Sequence, residues 1–113
     1  MGGSTKAITF LGTALDNLRA FPAAARREAG YQLDRVQSGF EPSDWKPMAA
    51  VGAGAREIRI READGAFRVI YVAKFARTIY VLHCFRKKTR ATSKADLDIA
   101  AKRYRLAKEL ANG

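Results

Sequence analysis

The chain is 113 residues long, 48% hydrophobic and 28% charged, with a formal net charge of +10 and a pI near 10.3. That length supports one domain with a modest core, no apolar run approaches the roughly 18 residues of a membrane span, and a single cysteine excludes an internal disulfide. Six Lys/Arg face five Asp/Glu in residues 1–55, but fifteen face six in residues 56–113, the footprint of a polyanionic partner, nucleic acid above all.

Residues 1–5, MGGST, read as a flexible leader without the apolar segment of a signal peptide. KAITFLG (Lys6–Gly12) is a short β-prone run ended by glycine, and TALDNLRAF a short helix with Thr13 as its N-cap. Pro22 fits the first turn of a second helix, where its missing N–H is no loss. Ala25, Ala29, Leu33 and Val36 then recur on one helical face, and Gly39 is a natural C-terminal stop. The two helices are expected to pair as a hairpin that serves as scaffold.

FEPSDWKPMAAVGAGA, with two prolines and two glycines, is expected to be irregular, pinned to the core by Trp45 and Met48. Beyond it the period changes to two. In AREIRIRE, Ile58 and Ile60 point one way and Glu57, Arg59 and Arg61 the other. A turn at Asp64-Gly65 leads to a second strand, with Phe67, Val69, Tyr71 and Ala73 on one face and Arg68, Ile70, Val72 and Lys74 on the other. A basic turn around Lys74–Thr78 leads to TIYVLHCF, completing a three-strand antiparallel meander. The last element is a helix capped by Ser93, with Asp96 at its third position and a stripe of Leu97, Ala101, Tyr104 and Lys108 flanked by Ile99, Leu106 and Leu110. The element order is β-α-α-β-β-β-α, an α+β chain spanning one domain over residues 1–113.

No phosphate-binding glycine loop, dinucleotide fingerprint, zinc-protease motif or paired-cysteine motif is present. His83 is the sole histidine and the acids are scattered, so neither a metal nor another cofactor is expected. Lone Cys84 reads as a small apolar strand residue and suits a reducing cytoplasm. What remains is a sheet carrying Arg59, Arg68, His83, Arg86 and Lys87, which paired neighbouring strands would bring to one patch. RNA supplies its own nucleophile, the 2′-hydroxyl, so such a patch needs only cations for the phosphate and groups that move protons. Arginines suit the first task and His83 the second. The plainer reading is a solvated basic face with a structural histidine, hence a non-catalytic nucleic-acid-binding module.

The segments WKPMAAVGAGAREIRI, AFRVIYVAKF and IYVLHCFRKKTRATSKADLDIAAKR resemble the phage-derived, HigB-like branch of the RelE/ParE toxin superfamily, over roughly Trp45–Arg105. The resemblance implies a RelE-like, microbial-RNase-like fold and a toxin of a type II toxin–antitoxin module. It also implies an endoribonuclease that cuts mRNA on the ribosome in the cytoplasm, leaving a 2′,3′-cyclic phosphate and a 5′-hydroxyl. The implied partners are that mRNA and a helix-turn-helix antitoxin, with no membrane. Carried onto this chain, the strand arginine falls on Arg68, the preceding basic strand position on Arg59, the histidine on His83 and the basic pair on Lys87-Lys88. Arg59, Arg68 and Lys87 would hold the scissile phosphate, with His83 as acid or base. Arg86, Lys88, Arg90, Lys102, Arg103 and Arg105 would dock RNA. Arg86 stands where the family has a polar glutamine, Cys84 where alanine is common, and the link after Thr89 lacks the usual proline. A ParE-like gyrase poison is the alternative within the superfamily.

Overall fold

The computed structural model describes residues 5–75 and 77–112; residues 1–4 of the expected leader and Ala76 of the expected basic turn lie outside that range. Eight elements follow one another: β1 (Ala7–Phe10), α1 (Ala14–Arg19), α2 (Ala23–Gln37), β2 (Trp45–Pro47), β3 (Ala55–Glu62), β4 (Gly65–Val72), β5 (Thr78–Lys87) and α3 (Lys94–Asn112). The strands form one sheet in the order β1-β5-β4-β3-β2. The expected meander is its centre, with β3 opposite β4 from Ala55↔Val72 to Glu62↔Gly65, and β4 opposite β5. The hairpin turn falls on Ala63 and Asp64, and Gly65 takes φ +135, which only glycine adopts without strain.

Two pairings extend the meander. The β1 strand lies parallel to β5, Ala7 opposite Thr78 and Phe10 opposite Val81, so the sheet is mixed. The segment expected to be irregular contributes β2, antiparallel to β3 with Lys46 opposite Glu57. Three residues containing a proline give no readable alternation, and proline is tolerated there because β2 is an edge strand.

Each face of the sheet has its own core. Ile58, Ile60, Phe67, Val69, Tyr71, Ile79, Val81 and Cys84 meet Ala14, Leu18, Ala25, Ala29, Leu33 and Val36 of α1 and α2. The stripe expected on α2 is thus its buried face. That helix starts one residue after Pro22, which sits at the N-cap, and ends in a Schellman motif: Gly39 N–H donates to Val36 and Phe40 N–H to Arg35, with Gly39 at φ +91. On the opposite face, Ile70, Val72, Tyr80, Leu82 and Phe85 receive Ala100, Tyr104 and Ala107 of α3. The inward stripe therefore runs through small alanines that let the helix lie close, not through Ala101 and Lys108, and Ile99, Leu106 and Leu110 are exposed. The Tyr104 hydroxyl donates to Ala53 O at 2.6 Å, tying α3 to the loop before β3.

The register of β5 holds one irregularity. Ile70 pairs with His83 but Tyr71 with Val81, so Leu82 is an extra residue, a bulge. Strict alternation would place His83 with Ile79 and Val81 under α1 and α2. The bulge moves it, together with Phe85 and Lys87, to the α3 face. Among the described residues, no helix is long and apolar enough to cross a membrane.

Candidate nucleic-acid interface

The α3 face is covered by the helix at one end and open at the other, where three rows of side chains run across the sheet. Arg59 and Arg68 are direct partners on β3 and β4, with Phe85 next on β5. One step outward lie Arg61, Ala66 and Lys87; one step inward lie Lys46, Glu57, Ile70 and His83. Arg59, Arg68 and Lys87, assigned to the phosphate from sequence, therefore share one face at one end of the sheet. Residues Arg61, Arg68, Lys87, Thr89 and Arg90 line an open cavity of about 350 Å³ there.

Like charges directly opposed across a ladder are destabilising without a counter-charge. Glu57 supplies it. Its side chain is 0% exposed, with Oε1 lying 3.4 Å from Arg68 Nε and 3.8 Å from Lys46 Nζ. The Thr92 hydroxyl donates to its Oε2 at 2.6 Å, across 35 residues of chain. Arg68, itself only 3% exposed, donates through Nη1 to Phe67 O at 3.1 Å. Among the described residues, the buried Nε atoms of both Arg59 and Arg68 lack a hydrogen-bond acceptor. Burial lowers the Arg68 pKa against the opposing pull of Glu57, with Arg59 and Arg61 pushing the same way as burial. The half-buried Lys87 is lowered by desolvation and then by Arg68, again against Glu57. The result is a cationic cleft with the Glu57 carboxylate beneath it and Glu62 on its wall, a shape of charge that accepts a phosphate group.

His83 reaches this face but is enclosed. It is 4% exposed, its Nε2 lies 2.7 Å from Asp96 Oδ1, and its ring stacks on Phe85 at 4.8 Å. Burial lowers its pKa from 6.5, opposed by Asp96. Asp96 also accepts the Ser93 hydroxyl at 2.7 Å, and Ser93 Oγ accepts the Asp96 N–H at 3.1 Å, so the expected cap of α3 is present.

The six residues assigned to docking disperse. Lys88 and Arg90 are exposed in the loop from β5 to α3, beside the cleft. Arg86 points to the other face as the partner of Phe67, with its guanidinium 5.6 Å from that ring and a hydrogen bond to Asp64 O. Arg103 donates to Leu82 O at 3.0 Å and to Thr13 Oγ1 at 3.2 Å, which takes the Thr13 hydroxyl away from the α1 cap. It lies against Gly12, where a Cβ would come within 2.6 Å of it. Lys102 and Arg105 are exposed on the outer side of α3 with Leu106. Cys84 is fully buried, its thiol pushed up to about 12 by desolvation.

Glu57 and Thr92 were not assigned to the site from sequence. A lone acid on the strand face that carries Arg59 and Arg61 was the available signal for Glu57; nothing local marked Thr92.

A family model described as Phage derived protein Gp49-like (DUF891) matches residues 16–105, which take in every residue of the cleft. No curated protein sequence matches the chain. Among solved structures, an arginine-to-alanine double mutant of the E. coli toxin RelE in the free state aligns with a TM-score of 0.66 at 17% identity, over 88% of this chain and 97% of its own. The toxin–antitoxin complex RelBE2 from Mycobacterium tuberculosis aligns with a TM-score of 0.50 at 20% identity, over 74% of this chain and 99% of the matched one. At these identities the likeness is one of fold.

Proposed function

Because the chain belongs to the phage-derived Gp49-like family, within the RelE/ParE toxin superfamily, we propose that it is the toxin of a toxin–antitoxin pair and cleaves mRNA on the translating ribosome. The observation that carries this reading is the Arg59–Arg68 pair, opposed across the strands with Lys87 beside it at the open end of the sheet. A phosphodiester seated beside the pair would relieve the repulsion between the arginines.

In this reading Arg68, set at the base of the cleft, forks two N–H groups onto the scissile phosphate, and Arg59 grips its other oxygen. The 2′-oxygen of the RNA attacks phosphorus as its proton passes to solvent water, the bond to the 5′-oxygen breaks, and that oxygen takes a proton from Lys87. The products are a 2′,3′-cyclic phosphate and a 5′-hydroxyl, with no metal in the step. Charge building on the five-coordinate phosphorus is met by Arg59, Arg68 and Lys87. Lys87, whose ammonium is shifted toward neutrality, is the group on this face that hands a proton to the leaving oxygen. His83 enters as the brace between β5 and α3, since its Nε2 is committed to Asp96. Lys88 and Arg90 steer the complex onto RNA, and a cognate antitoxin silences it by covering the cleft.

The experiment compares wild type with Arg68→Lys, expressed without antitoxin, by mapping 5′-hydroxyl ends on translated messages. The lysine keeps a charge for Glu57 but loses the fork, and cleavage should fall on the order of 100-fold or more. Equal cleavage by the two proteins would refute the role of Arg68. Intact messages together with arrested DNA replication would point to the gyrase-directed alternative.

A further inference from the structure

The buried carboxylate beneath the cleft poses a question of charge. Lys46, Arg59, Arg61, Arg68 and Lys87 converge on one sheet face, and Glu57 is the acid among them. Its two oxygens have different tasks. Oε2 is fixed by the Thr92 hydroxyl at 2.6 Å, which sets the orientation of the carboxylate. Oε1 accepts no hydrogen bond, yet faces Arg68 Nε at 3.4 Å and Lys46 Nζ at 3.8 Å. Arg68 is thus held by a charge rather than saturated by one, with its Nε sealed on the Glu57 side and the rest of the guanidinium at the base of the cavity.

We propose that Glu57 is a positioning and selectivity residue: a built-in anion that aims Arg68 while cancelling enough of the cleft's charge that free phosphate does not occupy it. The inference rests on the cleft being a phosphodiester site. A cluster of five cations without Glu57 would draw any small anion in the surrounding solution and hold it. With the carboxylate in place, one phosphate gains too little from the cleft to stay. A polymer succeeds because further phosphates meet Lys88 and Arg90 on the adjoining loop, adding attraction that a single ion cannot collect. Thr92 belongs to the same device, since it fixes the carboxylate from that loop.

The test measures binding of inorganic phosphate by calorimetry, and cleavage of translated message, for wild type, Glu57→Gln and Glu57→Asp. Glutamine keeps the volume and an acceptor for Thr92 but removes the charge. It should bind phosphate on the order of tenfold more tightly while cleaving less, because Arg68 loses its aim. Aspartate keeps the charge but withdraws it by one methylene from Arg68. It should bind phosphate as weakly as wild type and still lose cleavage by about tenfold or more. Unchanged or weaker phosphate binding by Glu57→Gln overturns the proposal. So does full cleavage by Glu57→Asp, which also decides the matter if the glutamine variant does not fold. A purely structural glutamate would give weaker binding in both variants. Should wild type prove not to cut RNA at all, the phosphate comparison still reads the charge role separately.

Discussion

His83 shows how a residue's chemistry is set by what surrounds it. Sequence places it as the one histidine in an apolar strand beside a basic run, the right residue type near the right chemistry. Its position on the arginine face depends on the Leu82 bulge, which a continuous run of apolar residues does not reveal. Buried and bonded to Asp96, it favours the neutral form, with Arg103 adding to the penalty on its charge. Since its folded pKa lies below 6.5, the unfolded chain takes up the proton first. Its contribution to stability is therefore full above 6.5 and declines as pH falls through the window beneath. Urea midpoints measured at neutral pH and about one unit below 6.5 should diverge for wild type and much less for His83→Gln. Identical divergence in the variant would assign the effect elsewhere. Glu57 is the converse case. Period-two reading sends a charged strand residue to solvent, but Glu57 is buried against Arg68 and bonded by Thr92, which returns from far along the chain.

At the level of elements, most of the pattern could be read locally. The α2 stripe, its glycine stop, the Ser93 cap and the central meander each follow from spacing over a few residues. What escaped depends on partners distant in sequence: β2 is a strand because β3 lies beside it, and α3 turns Ala100 and Ala107 inward because β4 and β5 supply the surface they pack on. The Ser93 cap is worth testing because it also orients Asp96, the partner of His83. Ser93→Ala should cost about 1 kcal/mol, read as a lower denaturant midpoint with an unchanged slope. No shift in midpoint would mean that water replaces the hydroxyl at no cost.

For the molecule as a whole, the charge asymmetry visible in the sequence spreads over several surfaces, three of which bear on binding. One is the cleft; a second is the Lys88–Arg90 loop at its edge; the third is the outer side of α3 with Lys102 and Arg105. Sequence alone could not separate them, since strand alternation and helix phase place neighbouring cations on opposite surfaces. If the loop handles docking, Lys88→Ala and Arg90→Ala should each lower the slope of log affinity against log salt for RNA by about one. Binding measured across a salt series checks this, and an unchanged slope for both variants would remove the loop from the interface.

The parallel pairing of β1 with β5 joins Ala7 to Thr78. The first strand therefore emerges during synthesis with no neighbour to receive it, and waits until β5 has been made. Contacts of such wide separation are slow to form because a long loop must close first. The same delay applies to the Glu57–Thr92 bond at the base of the cleft, which joins segments 35 residues apart. During synthesis Arg59 and Arg68 thus emerge along β3 and β4 before Thr92, so the arginines exist for a time without the arrangement that aims them. Under the function proposed above, the order of synthesis sets the order of assembly: the residues that would grip a phosphate are made first, and the residue that orients their carboxylate partner comes after.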